Sequence, residues 1–575
     1  MYTIAFDTET KGLDWFDPDQ QAFLLSWADS DGGHAYELGD EAGHAEFMSA
    51  LDRADQVVCH NLAFDAHQLR ETWGVDVLDG SYDLHDTDLL SRVVMPFGQR
   101  AGERGGHGLK NLGKILVDPS AADSEDTMKE LAEAAGIRLK TTGGYYDFYR
   151  AYPRELTEYA IQDAVLTLQL FDKLMEMADD KAMRCYALEM QVAPILIRME
   201  QRGVAVDSAA VDVLYKEYKQ QFKDLQDDVE RHFGDIQLEG EGSEAALLEA
   251  LQMQGVPLYR KTKTGKLSTS KFALQEFEDE FPSIATLLEY RRVQKFLSTY
   301  IGPMRGRSVL HTSFRQCEAW TGRMSSARPN LQNLPKRAGR EVRRPLVARS
   351  GKSLVACDFD GIEARLLAYY MNDERYKEFF RTGSDPHAWM ASEIHGGEPS
   401  EYAKGTSGEE KRNAAKNTLF AITYGAGAPR VADMNKISKP EAKALISKIK
   451  NSLPKYRKLM GRIRKKVQYH GHVHTLYGRK QVIAKDKAYV GLNALIQGTA
   501  ADIMKQALVN IEEEFEDEPE VSLLLVVHDE AVLECPDGQE QDVMERTCAA
   551  MERAGDNIDP PLVASGGIGK SYEEV

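Results

Sequence analysis

Asp7-Thr8-Glu9 sets two carboxylates two residues apart at the end of an apolar run, Ile4-Ala5-Phe6. Residues two apart in a strand share a face, so both acids can reach one site. Asn61-Leu62-Ala63-Phe64-Asp65 follows the apolar run QVVCH and adds a third carboxylate where strand passes into helix. Tyr159-Ala160-Ile161-Gln162-Asp163 places a phenol and a fourth carboxylate on one helix face. Four carboxylates suit two divalent ions about 3.5–4 Å apart, which activate water and stabilise the leaving oxygen of a phosphodiester. Magnesium fits such an all-oxygen site, with manganese able to substitute. Tyr159 could orient the attacking water. Each acid alone reads better as a helix cap or a solvated loop residue, and a lone DxE decides nothing. Three motifs in this order and spacing make phosphodiester cleavage the better reading. Asp86, in His85-Asp86-Thr87, is read as structural.

A second constellation lies in the C-terminal half. Asp358 follows the apolar run SLVAC, and Asp529, in His528-Asp529-Glu530, follows SLLLVV. Two strand-end acids on neighbouring strands can clamp two Mg²⁺ ions and leave ligand positions for a triphosphate and a primer 3′-hydroxyl. Between them, Arg412, Lys416, Phe420 and Tyr424 recur every four residues and form a stripe on one helix. A core rarely buries two cations among its aromatics. The stripe suits a nucleoside triphosphate, with cations on the phosphates and aromatic faces against sugar and base.

The elements that must hold these residues follow from the hydrophobic pattern. Residues 1–175 alternate short apolar runs with helical stretches, an α/β signature. A helical segment from 155 to 201 ends at Gly203, a domain junction, and 208–300 carries Glu, Gln, Lys and Leu at helical spacing. Strands return from 305 around a helical block spanning 375–470. Gly102 to Gly108 reads as a mobile loop and Gly566-Gly567-Ile568-Gly569-Lys570 as a turn. His470, His472 and His474 alternate and could offer three imidazoles to Zn²⁺, but a plain hairpin is the better reading.

Composition narrows the class. A chain of 575 residues suggests about four structural units, and 42% hydrophobic with 28% charged residues excludes wholesale disorder. No apolar run is long enough to cross a bilayer, so no membrane partner is expected. Six scattered cysteines without a CxxC pair argue against a disulfide framework or zinc ribbon. With no export signal at the start of the chain, they point to a reducing cytoplasm. The net charge of −20 lowers the prior for a nucleic-acid partner, but binding depends on where charge sits. Cations cluster at 260–263, at Lys336-Arg337 with Arg340, Arg343 and Arg344, and at seven positions between Lys455 and Lys466.

Residues 1–175 resemble the proofreading 3′-to-5′ exonuclease domains of the four-acidic-residue (DEDD) superfamily, in the subtype with tyrosine in the last motif. The resemblance implies a ribonuclease H-like domain at 1–180 with Asp7, Glu9, Asp65 and Asp163 as metal ligands. Residues 190–575 resemble the family A, DNA polymerase I-like enzymes. Beyond the acids and the stripe, the match includes Thr321-Gly322-Arg323-Met324-Ser325-Ser326, Pro329-Asn330-Leu331-Gln332-Asn333, Tyr477-Gly478-Arg479, and Gln497-Gly498-Thr499-Ala500-Ala501-Asp502 with Asn493 one turn earlier.

This second resemblance implies a right-hand fold of mixed α/β and α+β type: a thumb at 205–300, a palm at 305–375 and 485–575, and fingers at 376–484. It implies Asp358 and Asp529 as metal ligands; His387 and Arg412 on the triphosphate; Lys416 neutralising it; and Phe420 and Tyr424 at the base. Arg323, Asn330, Asn493, Gln497, His528 and Arg479 are the implied DNA contacts. Glu363 matches the steric gate that excludes a ribose 2′-hydroxyl, and Phe420 implies poor use of dideoxynucleotides. Asp360, Gly361 and Ala364 depart from the common pattern of the family.

Primer–template DNA and deoxynucleoside triphosphates are the implied partners, with a helicase or single-strand-binding protein as further ones. A nuclease motif so near the start leaves no room for a preceding 5′-nuclease domain, and this compact layout resembles bacteriophage replicative enzymes. A dedicated exonuclease with a DNA-gripping half would not need the second metal pair. Glu363 and the attached nuclease argue against a single-subunit RNA polymerase. A non-catalytic DNA-binding protein would leave both carboxylate sites unexplained.

Overall fold

Ile4, Ala5 and Phe6 are fully buried, so the first strand runs through the middle of a core rather than along its edge. The computed structural model describes residues 1–575 except 80–81, 97–105, 122, 237, 239–241, 263 and 337. Strands β1 (Thr3–Thr10), β2 (Ala22–Asp29), β3 (Gly32–Glu37), β4 (Gln56–Cys59) and β5 (Asp83–Asp86) form one sheet in the order β3-β2-β1-β4-β5. β1 pairs antiparallel with β2 and parallel with β4. Helices α1 (Leu62–Trp73), α2 (Leu109–Leu116) and α3 (Pro153–Met177) flank this sheet. Most of the expected glycine-rich loop, Gly102 to Gly105, lies outside the described residues.

The helix expected at 155–201 is two helices. α3 ends at Met177, and α4 (Asp180–Arg202) starts afresh where the Asp179 carboxylate accepts the N–H groups of Lys181 and Ala182. α4 stops at Gly203, whose φ of +56° and close neighbours His311 and Val309 leave no room for a side chain. Beyond it, α5 (Ser208–Phe233) and α6 (Pro282–Lys295) share a core of their own around Val229, Leu251 and Leu287.

The second sheet is antiparallel throughout. β6 (Lys352–Phe359), β7 (Ser522–Val527), β8 (Glu530–Pro536) and β9 (Ala564–Gly569) are ordered β7-β8-β6-β9. The Gly566 to Gly569 string expected as a turn is therefore most of an edge strand. A Cβ at Gly566 would meet Met544 and Cys357, so the strand needs glycine to lie flat on its neighbours. Helix α7 (Ile362–Met371) follows β6 directly. Helices α8 (Pro386–His395) and α9 (Glu409–Thr423) come from the intervening helical block. α11 (Glu540–Arg553) packs back on the sheet, and α10 (Gly491–Glu514) packs against α11, α4 and α7. His472–His474 pairs with Lys480–Val482 as the expected hairpin.

A buried ionic network ties the two halves. Glu189 on α4 meets Lys505 on α10 at 2.6 Å and also Arg479, while Arg479 reaches Asp502 at 2.7 Å. All four groups are nearly or wholly buried. Desolvation on this scale is tolerated only because every charge is paired.

Candidate active sites

Asp7 and Glu9 share one face of β1, as the spacing requires, and α3 brings Asp163 against them. Ligand oxygens of these three acids all lie within 4.8 Å of one another. Asp65, in the first turn of α1, joins from the side, with one oxygen accepting both the Thr8 N–H at 3.1 Å and its hydroxyl at 2.6 Å. Burial and mutual repulsion push these carboxyls up: Glu9 to about 8, Asp65 to about 7, and Asp7 well above its ordinary value. Carboxylates crowded this way need positive charge. Among the described residues one cation pairs with these acids, Lys110 on α2, which contacts Asp163 and lies 4.4 Å from the centre of the Tyr159 ring. Asp86 instead caps a helix, accepting N–H groups from Asn61, Leu62 and Asp88. A cavity of about 1220 Å³ opens at the N-terminus of α1, lined by Trp15, His60, Asn61, Phe64, Arg92 and Arg315 among others.

In the second sheet, Asp358 lies opposite Glu530 across the β6–β8 pair, and Asp529 occupies the two-residue turn joining β7 to β8. His528, the other turn residue, has a φ of +63°, a left-handed conformation that costs a side-chain-bearing residue energy. The Asp529 carbonyl accepts the Phe359 N–H at 3.2 Å, which binds the turn to the end of β6. Burial, then the neighbouring Asp529, pushes the Asp358 carboxyl to about 7. Its Oδ1 is buried without any hydrogen-bond partner, as an atom waiting for a cation would be. Glu530 accepts the Tyr572 hydroxyl at 2.5 Å, and Lys336 reaches both Glu530 and Asp358.

The surrounding residues sort into two groups. Glu363, in the first turn of α7, ion-pairs with Arg323, and burial raises its carboxyl despite that partner. His528 is exposed beside them. Asn493 and Gln497 lie about one turn apart on α10, and Asn493 Oδ1 has no partner. On α9 the stripe does form, but Arg412 is buried rather than solvent-facing. It pairs at 2.5 Å with Asp385, the N-cap of α8. That pairing brings the stripe against His387, whose ring centre lies 6.0 Å from that of Phe420, itself 6.0 Å from Tyr424. Burial, with Lys416 and Arg412 nearby, holds His387 down at about 4.

One expected DNA contact is placed otherwise. Arg479 is buried, its guanidinium spent on Glu189 and Asp502, so it braces α4 against α10. Asn330 caps a short 3₁₀ turn through the Gln332 N–H.

The cationic clusters also divide. Arg340 and Arg343 bond backbone carbonyls, and Arg344 pairs with Glu573. Arg337 and Lys263 lie outside the described residues. By contrast, Lys455, Arg457, Lys458, Arg462, Arg464, Lys465 and Lys466 are all exposed along the helix Pro454–His470, whose opposite face buries Tyr456, Leu459, Ile463 and Val467.

Glu530, Lys336, Lys110 and Asp385 were not singled out as site residues in the sequence. Glu530 adjoins Asp529 and was legible there. The two lysines reach their acids through tertiary contact alone.

A five-stranded mixed sheet flanked by helices and a four-stranded antiparallel sheet, each carrying its own acidic centre, define a two-site α/β protein. The profile of DNA polymerase family A matches residues 208–574, and that of the 3′-5′ exonuclease matches 1–179. The chain belongs to DNA polymerase family A. It is 32% identical to DNA polymerase I of Pseudomonas aeruginosa over 99% of this chain and 63% of that protein. It is 34% identical to the thermostable DNA polymerase I of Thermus filiformis over 74% of this chain and 52% of that one. The polymerase domain of Pol1 from M. smegmatis, solved with DNA primer-template and dNTP, superposes with a TM-score of 0.80 at 26% identity, covering 100% of this chain and 96% of that one. The chain spans about half to two-thirds of the curated relatives it matches. These relatives are bacterial, and the expectation of a bacteriophage type finds no support among them. No helix among the described residues is long and apolar enough to cross a membrane.

Proposed function

We propose that this chain extends a DNA primer along a template with deoxynucleoside triphosphates, and removes mispaired ends by 3′-to-5′ hydrolysis. The observation that carries the reading is the pair of carboxylate centres on separate sheets. Each is crowded beyond what its own cations neutralise, as divalent-ion sites are.

In this reading the second sheet is the palm, α5 and α6 belong to the thumb, and α8 and α9 belong to the fingers. Asp358 and Asp529, with Glu530 beside them, would hold Mg²⁺ in the palm, and Asp7, Glu9, Asp65 and Asp163 would hold it in the nuclease; the orphaned Asp358 Oδ1 fits this role. Bound there, the ions would lower the pKa of the attacking hydroxyl or water and neutralise the leaving oxygen.

The chain's own residues do the rest. Arg412, fixed by Asp385, and exposed Lys416 hold the triphosphate, while Phe420 and Tyr424 present faces to sugar and base. Glu363 fills the space a 2′-hydroxyl would need, held there by Arg323. Arg323, Asn493, Gln497 and His528 meet the minor groove, where acceptor positions vary little with sequence. The basic face of Pro454–His470, which makes no ion pair among the described residues, neutralises backbone phosphates, so binding weakens steeply with salt. In the nuclease, Tyr159 orients water, and the cavity with Trp15, Phe64, Arg92 and Arg315 receives the frayed single strand.

The test is a 5′-labelled primer on a longer template with Mg²⁺. Extension with dNTPs and shortening without them are expected, Asp358→Asn removing the first and Asp7→Ala the second. Shortening under both conditions would overturn the polymerase reading.

A further inference from the structure

Lys336 stands between the two carboxylates that face each other across β6 and β8. Its Nζ lies 3.0 Å from Glu530 and 3.4 Å from Asp358. The side chain is 43% exposed, so packing does not force it inward, and it has solvent to move into. Glu530 has its other oxygen on the Tyr572 hydroxyl, and Asp358 has its other oxygen buried without a partner. Asp529 adds a third acid from the adjoining turn. Among the described residues no other cation pairs with any of the three. One ammonium thus pairs with two of the three carboxylates, and on Asp358 it holds Oδ2, next to the orphaned Oδ1, so a divalent ion on that carboxylate would meet it.

Electrostatics makes the two cations competitors. A monovalent charge within about 4 Å of two carboxylates relieves much of their repulsion, and a divalent ion on the same oxygens gains only the difference. The nuclease repeats the arrangement with an unrelated lysine: Lys110, on α2, contacts Asp163 and lies over Tyr159.

We propose that Lys336 is the resident counter-cation of the palm. It holds Asp358 and Glu530 together in the metal-free enzyme, yields them when a divalent ion binds, and so sets the ion concentration at which the site loads. The inference rests on the reading of these acids as an ion site.

The test uses the full chain carrying Asp7→Ala and Asp163→Ala, which silence the nuclease centre. Mn²⁺ is titrated without DNA or nucleotide, and free Mn²⁺ is followed by electron paramagnetic resonance. Adding Asp358→Asn identifies the palm signal by its loss. Lys336→Met is expected to bind Mn²⁺ about tenfold more tightly at the palm. Lys336→Arg is expected to stay near the parent, and Arg154→Met, which removes a distant exposed cation, to change nothing. In chelator, Lys336→Met should unfold at a lower temperature than the parent, with saturating Mn²⁺ closing the gap. Unchanged or weaker Mn²⁺ binding by Lys336→Met overturns the proposal while leaving the ion site intact. Mn²⁺ binding that Asp358→Asn does not alter would instead overturn the ion-site reading, and the proposal with it.

Discussion

Asp358 and Glu530 form one rung of the β6–β8 ladder, two carboxylates directly opposite each other at the end of antiparallel strands. Like charges in that position destabilise a sheet, so their presence marks a place where stability yields to function. Asp358→Asn should therefore act in two directions. Primer extension falls by at least about 10³-fold because an ion ligand is lost, while shortening of the same primer persists. In chelator the variant melts a few degrees higher than the parent, as differential scanning calorimetry would show.

In the proposed function, the Arg323–Glu363 ion pair bears on sugar selection. The ion pair fixes the Glu363 carboxylate at the start of α7, close enough to feel Asp529. Glu363→Ala opens that space and should raise ribonucleotide incorporation by roughly 10–100-fold relative to deoxynucleotide, about 1.4–2.7 kcal/mol of discrimination. Single-nucleotide insertion with dATP and ATP at equal concentration measures it.

Asp385 holds Arg412 through an ion pair, and in the proposed function it acts on the nucleotide through that arginine. Removing the Asp385 charge frees a buried guanidinium from its partner and from α8. Asp385→Asn should raise KM for dNTP several-fold with a smaller change in kcat, whereas Arg412→Met should lower kcat/KM by roughly 30- to 5,000-fold, about 2–5 kcal/mol of transition-state stabilisation. Steady-state insertion kinetics separate the two.

The network around Glu189 gives the protein an acid limit. Burial alone would raise the Glu189 carboxyl, but Lys505 and Arg479 outweigh it and hold the group down at about 2. A depressed folded-state value means that the stabilisation is present above the unfolded value of about 4.3 and is lost as pH falls from there toward 2. Glu189→Gln should cost roughly 3–5 kcal/mol at neutral pH, because it leaves Lys505 and Arg479 buried with less charge to face. Thermal unfolding from pH 7 to 3 should show the gap between variant and parent narrowing only below about pH 4.5.

The acids of both centres were legible in the sequence because each closes an apolar strand or sits at helical spacing, and local geometry aims such residues without outside help. The i,i+2 pair Asp7 and Glu9, the i,i+4 pair Tyr159 and Asp163, and the strand-end Asp358 are cases of this kind. Spacing also revealed the stripe on α9. What spacing does not carry is the partner. Arg412 is buried because Asp385 caps the neighbouring helix, and Arg479 is an internal brace because Glu189 arrives from α4. The string Gly566 to Gly569 is a strand because β6 offers an edge to pair with, and at Gly566 Met544 and Cys357 leave no room for a side chain. Lys110 and Lys336 sit among acids 53 and 22 residues away, and no local pattern encodes that. The sequence by itself determined which side chains could do chemistry. Tertiary structure alone decided which charges are spent on one another and which remain for metal, nucleotide and DNA, because pairing in a low-dielectric interior depends on distances that only the folded chain sets.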